Sequence, residues 1–365
     1  MTGFSVCVIL FPIFYCHEVS LMYHFESDYV NGCLPQVLEA LTATNGDHTV
    51  GYGMDPYCQR AAERIRRACE APDALISFLV GGTQTNMTVI ATALKPWQGV
   101  LCAESGHINV HETGAIESTG HKVLPLPSEA GKITAGQIET AWQAHWSDAT
   151  HEHMVQPGMV YLSQPTEVGT LYSLAELEAI SRVCRKRNLY LYVDGARLGY
   201  ALAAPENDVT LPDLARLTDV FYIGGTKTGL LFGEAVVISH PALQTDFRYS
   251  VKQHGGMLAK GRLLGVQFGR VFQDGLYVKA CQNAIDCAHR LRRALKAAGI
   301  PLYAQSPTNQ IFPILKKEQI ERLRENYVFE LWAHVDEAHD AVRFCTSWST
   351  TEEEIAALTA DLLAL

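Results

Sequence analysis

The stretch Leu189-Tyr190-Leu191-Tyr192-Val193-Asp194-Gly195-Ala196-Arg197 runs from five apolar or aromatic residues straight into a carboxylate, a glycine and an arginine. A short apolar run that ends in a turn signal is the pattern of a strand buried on both faces. Just upstream, Ser173 and Glu176 form a capping box, and Leu174, Leu177, Ile180 and Cys184 recur at helical spacing. Arg185, Lys186 and Arg187 then complement the negative end of that helix, so the basic cluster reads as a solvated helix terminus. Working outward, the same alternation recurs. Apolar runs at Ala74–Val80, Gly99–Ala103, Lys122–Leu126, Met159–Ser163, Val220–Ile223 and Ala235–Ser239 are separated by helical patterns, one of them opened by the Thr134–Gln137 capping box. The alternation predicts an α/β architecture with a mainly parallel seven-stranded sheet flanked by helices.

The chain has 365 residues, 48% apolar and 19% charged, long enough for a large core. Its 29 Lys and Arg against 39 Asp and Glu give a net charge of -10, which disfavours nucleic acid as a partner. No apolar run reaches the roughly 18 to 20 residues that span a bilayer, so no membrane partner is expected. The ten cysteines show no CxxC pairing. They read as reduced, mostly buried thiols in a cytoplasmic protein, with no metal site. Val6 to Tyr15 is apolar but has no basic residue before it, so residues 1–21 are expected to form an extension outside the fold rather than a signal peptide. The expected domains are 51–265 (large), 266–365 (smaller, α+β) and a segment 22–50 packing with the smaller one.

In a parallel sheet ligands gather at the carboxyl ends of the strands, and three ends stand out. After Val80 come Gly81-Gly82-Thr83 and a helical run from Gln84 to Leu94. That pattern fits either a phosphate cradle at a helix start or a tight turn. Asp194 ends its strand as a carboxylate that needs a partner, and an internal ion pair with Arg197 is the bland alternative. Lys227 lies in Gly224-Gly225-Thr226-Lys227-Thr228-Gly229, among residues too small and apolar for an ordinary solvated lysine face. One ligand accounts for all three ends. Pyridoxal 5′-phosphate needs a phosphate site, a lysine to capture its aldehyde and an aspartate to keep its ring nitrogen cationic.

These motifs, with Phe25-Glu26-Ser27-Asp28, Tyr52-Gly53, Asp55-Pro56, His107, Thr308-Asn309 and Arg343-Phe344-Cys345-Thr346, resemble the low-specificity L-threonine aldolase and β-eliminating lyase family of fold-type-I pyridoxal-phosphate enzymes. The resemblance covers nearly the whole chain from Met22. It implies the aspartate aminotransferase fold and cleavage of a β-hydroxy-α-amino acid to glycine and an aldehyde. By the same resemblance Lys227 would bind the cofactor covalently, Asp194 would pair with its ring nitrogen, and Gly82 and Thr83 would hold its phosphate. His107 would stack on its face, Arg197 would bond near its oxygen and the substrate carboxylate, Arg343 would clamp that carboxylate, and Ser27 would lie near the substrate. A homodimer or homotetramer is implied as well.

Two departures accompany the resemblance. Where the family carries a histidine near the substrate hydroxyl, this chain reads Gln164-Pro165-Thr166-Glu167-Val168-Gly169, with Thr166 at about that place. Either His107, His111 or a water would then take the histidine's role, or the β-hydroxy substrate differs from threonine. The lysine is flanked by Thr226 and Thr228 instead of Ser and Gly. Rival readings are β-elimination or transamination on the same scaffold, a nicotinamide dehydrogenase (disfavoured by the missing GxGxxG) and a non-catalytic cofactor-binding relative.

Overall fold

The computed structural model describes residues 22–365; the extension expected at 1–21 lies outside the described residues. A two-residue strand β1 (Tyr23–His24) and helix α1 (Pro35–Ala43) lead into α2 (Pro56–Ala68). There follow β2 (Leu75–Leu79), α3 (Gly82–Ala93), β3 (Gln98–Ala103), the single turn α4 (His107–Val110) and β4 (Lys122–Leu126). Next come α5 (Ala135–Ser147), β5 (Gln156–Ser163), α6 (Leu174–Arg187), β6 (Tyr190–Asp194), β7 (Val220–Gly224) and β8 (Glu234–Ile238). The sheet order is β2-β8-β7-β6-β5-β3-β4. Only β8 runs antiparallel to its neighbours, which brings its first residue, Glu234, to the edge where the parallel strands end.

Strand periodicity divides the core into two layers. Val160, Leu162, Leu191, Val193, Phe221 and Ile223 face one layer, closed by Leu177, Ile180 and Cys184 of α6 and Ala61, Ala62 and Ile65 of α2. Met159, Tyr161, Tyr192, Val220 and Tyr222 face the other, closed by Val89 and Ile90 of α3. Both expected capping boxes are present, at Thr134 and Ser173, and α6 ends at Asn188 in the left-handed conformation. Arg187 pairs with Glu139 of α5 and stacks on Trp142 at 4.0 Å.

The C-terminal part carries the long helix Leu276–Ala297, the helix Glu352–Leu363 and an antiparallel sheet ordered β12-β13-β10-β9, with β9 Leu302–Ala304, β10 Gln310–Lys316, β12 Glu330–His334 and β13 His339–Cys345. The segment 22–50 is divided between the two parts. Tyr23–His24 pairs with β11 (Tyr327–Val328), whereas Leu34 and Val37 pack into the large core. All eight described cysteines are free, seven of them buried. Among the described residues no helix is long and apolar enough to cross a membrane, and no cluster of side chains is arranged to hold a metal ion.

Candidate active site

The ends of β2, β5, β6 and β7 and the turn α4 surround one cavity of about 300 Å³. It is walled by Gly81, Gly82 and Thr83, by His107, Asp194, Arg197 and Lys227, and by three acids that sequence reading gave no role: Glu112, Glu167 and Glu234. That volume suits a small cofactor.

Asp194 continues the face of Tyr161, Tyr192 and Tyr222, and these neighbours hold it. Its Oδ2 accepts from the Tyr161 hydroxyl at 2.6 Å and from Asn86 Nδ2 at 3.2 Å. Its Oδ1 accepts from the Tyr222 hydroxyl at 2.6 Å and from the Ala196 amide at 2.9 Å. Arg197 is not its partner, which corrects the internal-pair alternative. Arg197 turns to Asp28 instead, with Nε to Oδ2 at 2.7 Å and Nη2 to Oδ1 at 3.1 Å, and Asn309 Nδ2 adds a third bond to Asp28 at 2.9 Å. Burial alone would raise the Asp28 carboxyl, but Arg197 and Lys227 outweigh it and hold the group below the usual carboxylate range.

Gly195 and Gly224 make this corner possible. The Gly224 amide donates to the Gly195 carbonyl at 2.9 Å, and a Cβ on Gly195 would come within 2.0 Å of the Tyr222 carbonyl oxygen. Past Gly224 the chain delivers Lys227, half-buried in the wall. Among the described residues its amine has no hydrogen-bond or ion-pair partner. Burial, reinforced by the nearby Arg197 charge, lowers its pKa. Across from it Glu234 accepts from the Gly225 amide and the Thr226 hydroxyl, both at 3.2 Å, and burial raises its carboxyl.

Helix α3 starts at the cavity wall, and the amides of its first turn have no partner within the helix. Gly82 is packed so closely that a Cβ would lie 3.1 Å from the Tyr222 hydroxyl. A phosphate group matches those free amides and the positive end of the helix. Opposite, His107 Nδ1 bonds Glu112 Oε1 at 2.8 Å, and Asn86 Nδ2 donates to the same oxygen at 2.8 Å, so one asparagine links the histidine's anchor to Asp194.

A second, outer cavity of about 250 Å³ opens on Tyr29, His111, Glu330, Trp332 and Arg343. Arg343 donates to the Glu26 carbonyl at 3.1 Å and Gln310 Oε1 at 3.2 Å and pairs with Glu330, while its Nε has no partner. The structure therefore brings Gly82, Thr83, His107, Asp194, Arg197, Lys227 and Arg343 to two adjoining chambers. Ser27 is buried and lines neither of them. Thr166, expected near the hydroxyl, does line the inner cavity, with its Oγ1 2.7 Å from that of Thr170, and the adjacent Glu167 is the titratable side chain of that loop.

The family described as Beta-eliminating lyase matches residues 24–318. A Pseudomonas aeruginosa protein named low specificity L-threonine aldolase is 32% identical over 341 residues, covering 93% of this chain and 96% of its own. The solved structure of Leishmania major threonine aldolase superposes with a TM-score of 0.91 at 44% identity, covering 93% of this chain and 98% of its own. A mutant of Thermus thermophilus aspartate aminotransferase, 14% identical, shares the fold with a TM-score of 0.69 over 95% of this chain and 92% of its own.

Proposed function

The chain belongs to the low-specificity L-threonine aldolase and β-eliminating lyase family, and on that premise we propose that it is a carbon–carbon lyase. It uses pyridoxal 5′-phosphate to cleave a β-hydroxy-α-amino acid such as L-threonine or L-allo-threonine into glycine and an aldehyde. The observation that carries the reading is the convergence of a free helix start, a four-donor aspartate and an unpartnered lysine on one cavity.

The residues fit that cofactor. When bound, it supplies a conjugated cationic ring that accepts the electron pair of the breaking Cα–Cβ bond. Gly82 and Thr83 offer amides to its phosphate. Asp194, fixed in place by two phenols and Asn86, presents a carboxylate for the ring nitrogen. The lowered pKa of Lys227 favours the neutral amine, the form that attacks a carbonyl carbon. His107, oriented by Glu112, offers its ring face. Arg343, with Nε unpaired and its guanidinium in the outer chamber, binds the substrate carboxylate, and Arg197 lies between the chambers.

The test is to incubate the cofactor-loaded protein with threonine, allo-threonine, phenylserine, serine and cysteine. Glycine plus aldehyde supports the lyase reading, whereas pyruvate plus ammonia would show β-elimination instead. The protein is further taken to be a cytoplasmic homodimer or homotetramer. The eight cysteines among the described residues, all unpaired, support the first point. For the second, Val30, Leu38, Val50, Tyr52 and Met54 are large apolar or aromatic side chains left exposed along residues 30–54, which a second copy of the chain could cover.

A further inference from the structure

This inference rests on the lyase reading and concerns the group that takes the proton of the substrate's β-hydroxyl. A substrate whose amine enters the inner chamber and whose carboxylate meets Arg343 in the outer one has its Cα at the boundary, with Cβ one bond away. Five residues wall both chambers: Tyr29, His107, Glu167, Arg197 and Lys227. Arg197 is a cation committed to Asp28. Lys227, once the substrate amine has taken its place on the cofactor, is the group that returns a proton to Cα. His107 has its Nδ1 engaged by Glu112 at 2.8 Å and is the ring proposed to face the cofactor. Tyr29 is 55% exposed at the mouth. Glu167 is the acid–base group that remains.

Its setting suits the task. Glu167 Oε1 accepts from the His107 amide at 2.9 Å and from Ser163 Oγ at 2.7 Å. Both bonds fall on one oxygen, which leaves Oε2 to the cavity. Ser163 Oγ also lies 3.4 Å from the Tyr161 hydroxyl, which donates to Asp194, so a polar chain joins the two carboxyl groups. The loop is fixed from below, where Thr308 Oγ1 donates to the Gly169 carbonyl at 3.1 Å and Thr166 is bonded to Thr170. Burial raises the Glu167 carboxyl above its ordinary value, with the Asp194 charge adding to it, and the bonds from Ser163 and His107 only partly oppose the shift. A carboxylate raised in this way is a stronger base near neutral pH.

We propose that Glu167 is the catalytic base that deprotonates the β-hydroxyl of the substrate during carbon–carbon cleavage. The O–H bond breaks and its pair becomes the second bond of the aldehyde carbonyl. The Cα–Cβ pair passes into the conjugated ring system. Lys227 takes the proton that the substrate ammonium gives up and delivers it to Cα, where the electron pair returns to bond it. The hydroxyl proton leaves through Glu167 to solvent, and the departing glycine amine takes one from solvent, so charge and protons balance with no further reactant. The charged and titratable groups around Glu167 are Asp194, Glu112, Glu234 and His107 in the inner chamber, Tyr161, Tyr172 and Cys102 packed behind it, and Lys227 and Arg197 across the boundary. His111, Glu330 and Arg343 face it from the outer side.

The test compares cofactor-loaded wild type with Glu167→Gln by cofactor absorbance, by solvent-deuterium exchange of the glycine α-proton and by acetaldehyde release from L-threonine. Absorbance and exchange are expected to stay within about threefold, while aldehyde release falls by about 10²- to 10⁴-fold, the range for loss of a general base. The acid limb of the kcat profile disappears in Glu167→Gln. In Ser163→Ala it moves to higher pH, because a donor to the charged form is gone. If Glu167→Gln does not fold, the Ser163→Ala shift decides alone, and an unmoved limb overturns the assignment. Aldehyde release within threefold of wild type overturns it, as does parallel loss of glycine exchange. A wild type that exchanges the glycine proton but cleaves no hydroxy amino acid refutes the lyase reading itself, and this inference with it.

Discussion

Replacing Asp28 by Asn keeps the shape of the side chain and removes one charge from the best-buried ion pair among the described residues. The Asp28 side chain is fully buried and that of Arg197 is 13% exposed, so water does little to screen either partner. At 2.7 to 3.1 Å and an effective dielectric of about 20, the gross attraction is about 5 to 6 kcal/mol. Stranding a buried arginine by removing its partner costs about 3 to 5 kcal/mol. The folded-state pKa of Asp28 is depressed, so this stabilisation is present above the unfolded pKa and is lost as pH falls through the folded value. Urea unfolding of the cofactor-free protein, followed by circular dichroism at pH 7 and again toward pH 3, measures both effects. Asp28→Asn is expected to lose about 3 to 5 kcal/mol at pH 7 and to show a shallower further loss on acidification. The double variant Asp28→Asn, Arg197→Met is expected to recover part of that loss, because no charge is then left unpaired. A cost under about 1 kcal/mol, or no recovery in the double variant, would refute the reasoning.

Glu234, whose carboxyl is raised by burial, makes the folded state lose stability as pH rises from the unfolded carboxylate value toward neutrality, so Glu234→Gln should flatten the alkaline side of the apo stability profile. An unchanged profile would mean that the ionised form meets full compensation from Lys227. Gly195→Ala drives a methyl group to 2.0 Å from the Tyr222 carbonyl oxygen and forces β6 and β7 apart. It is expected to leave no folded protein by circular dichroism and gel filtration, and native-like behaviour would contradict the packing described here.

The central strands of the large sheet were legible because they are continuous apolar runs between turn signals, and because both their faces are covered every residue of Tyr192, Val193 and their neighbours carries the signal. The small sheet was less so. β12 reads Glu330-Leu331-Trp332-Ala333-His334, an exposed edge with no strong period, and the two-residue strands β1 and β11 are too short to have one. In the site, Asp194, Lys227 and the Gly81–Thr83 turn were visible since each ends a strand. The partner of Arg197 was not visible, because Asp28 lies 169 residues away and a spacing of three residues suggested Asp194 instead. Glu167 was passed over for Thr166 for a similar reason. The loop has no periodicity to say which side chains reach the cavity; Thr166 and Glu167 both do, but the Thr166 hydroxyl is taken up by Thr170 four residues further on. Glu112 and Glu234 carry no local signal at all; one is read only through His107 and the other only through the reversed direction of β8.

The central claim is that one cofactor accounts for the three strand ends, with Lys227 as its point of attachment. Borohydride reduction of the pyridoxal-phosphate-loaded protein, followed by peptide mass mapping, tests it most directly. The account predicts a single pyridoxyl adduct on the peptide containing Lys227, and none in Lys227→Ala. An adduct on another lysine, or an unmodified Lys227 in protein that still cleaves threonine, would contradict it.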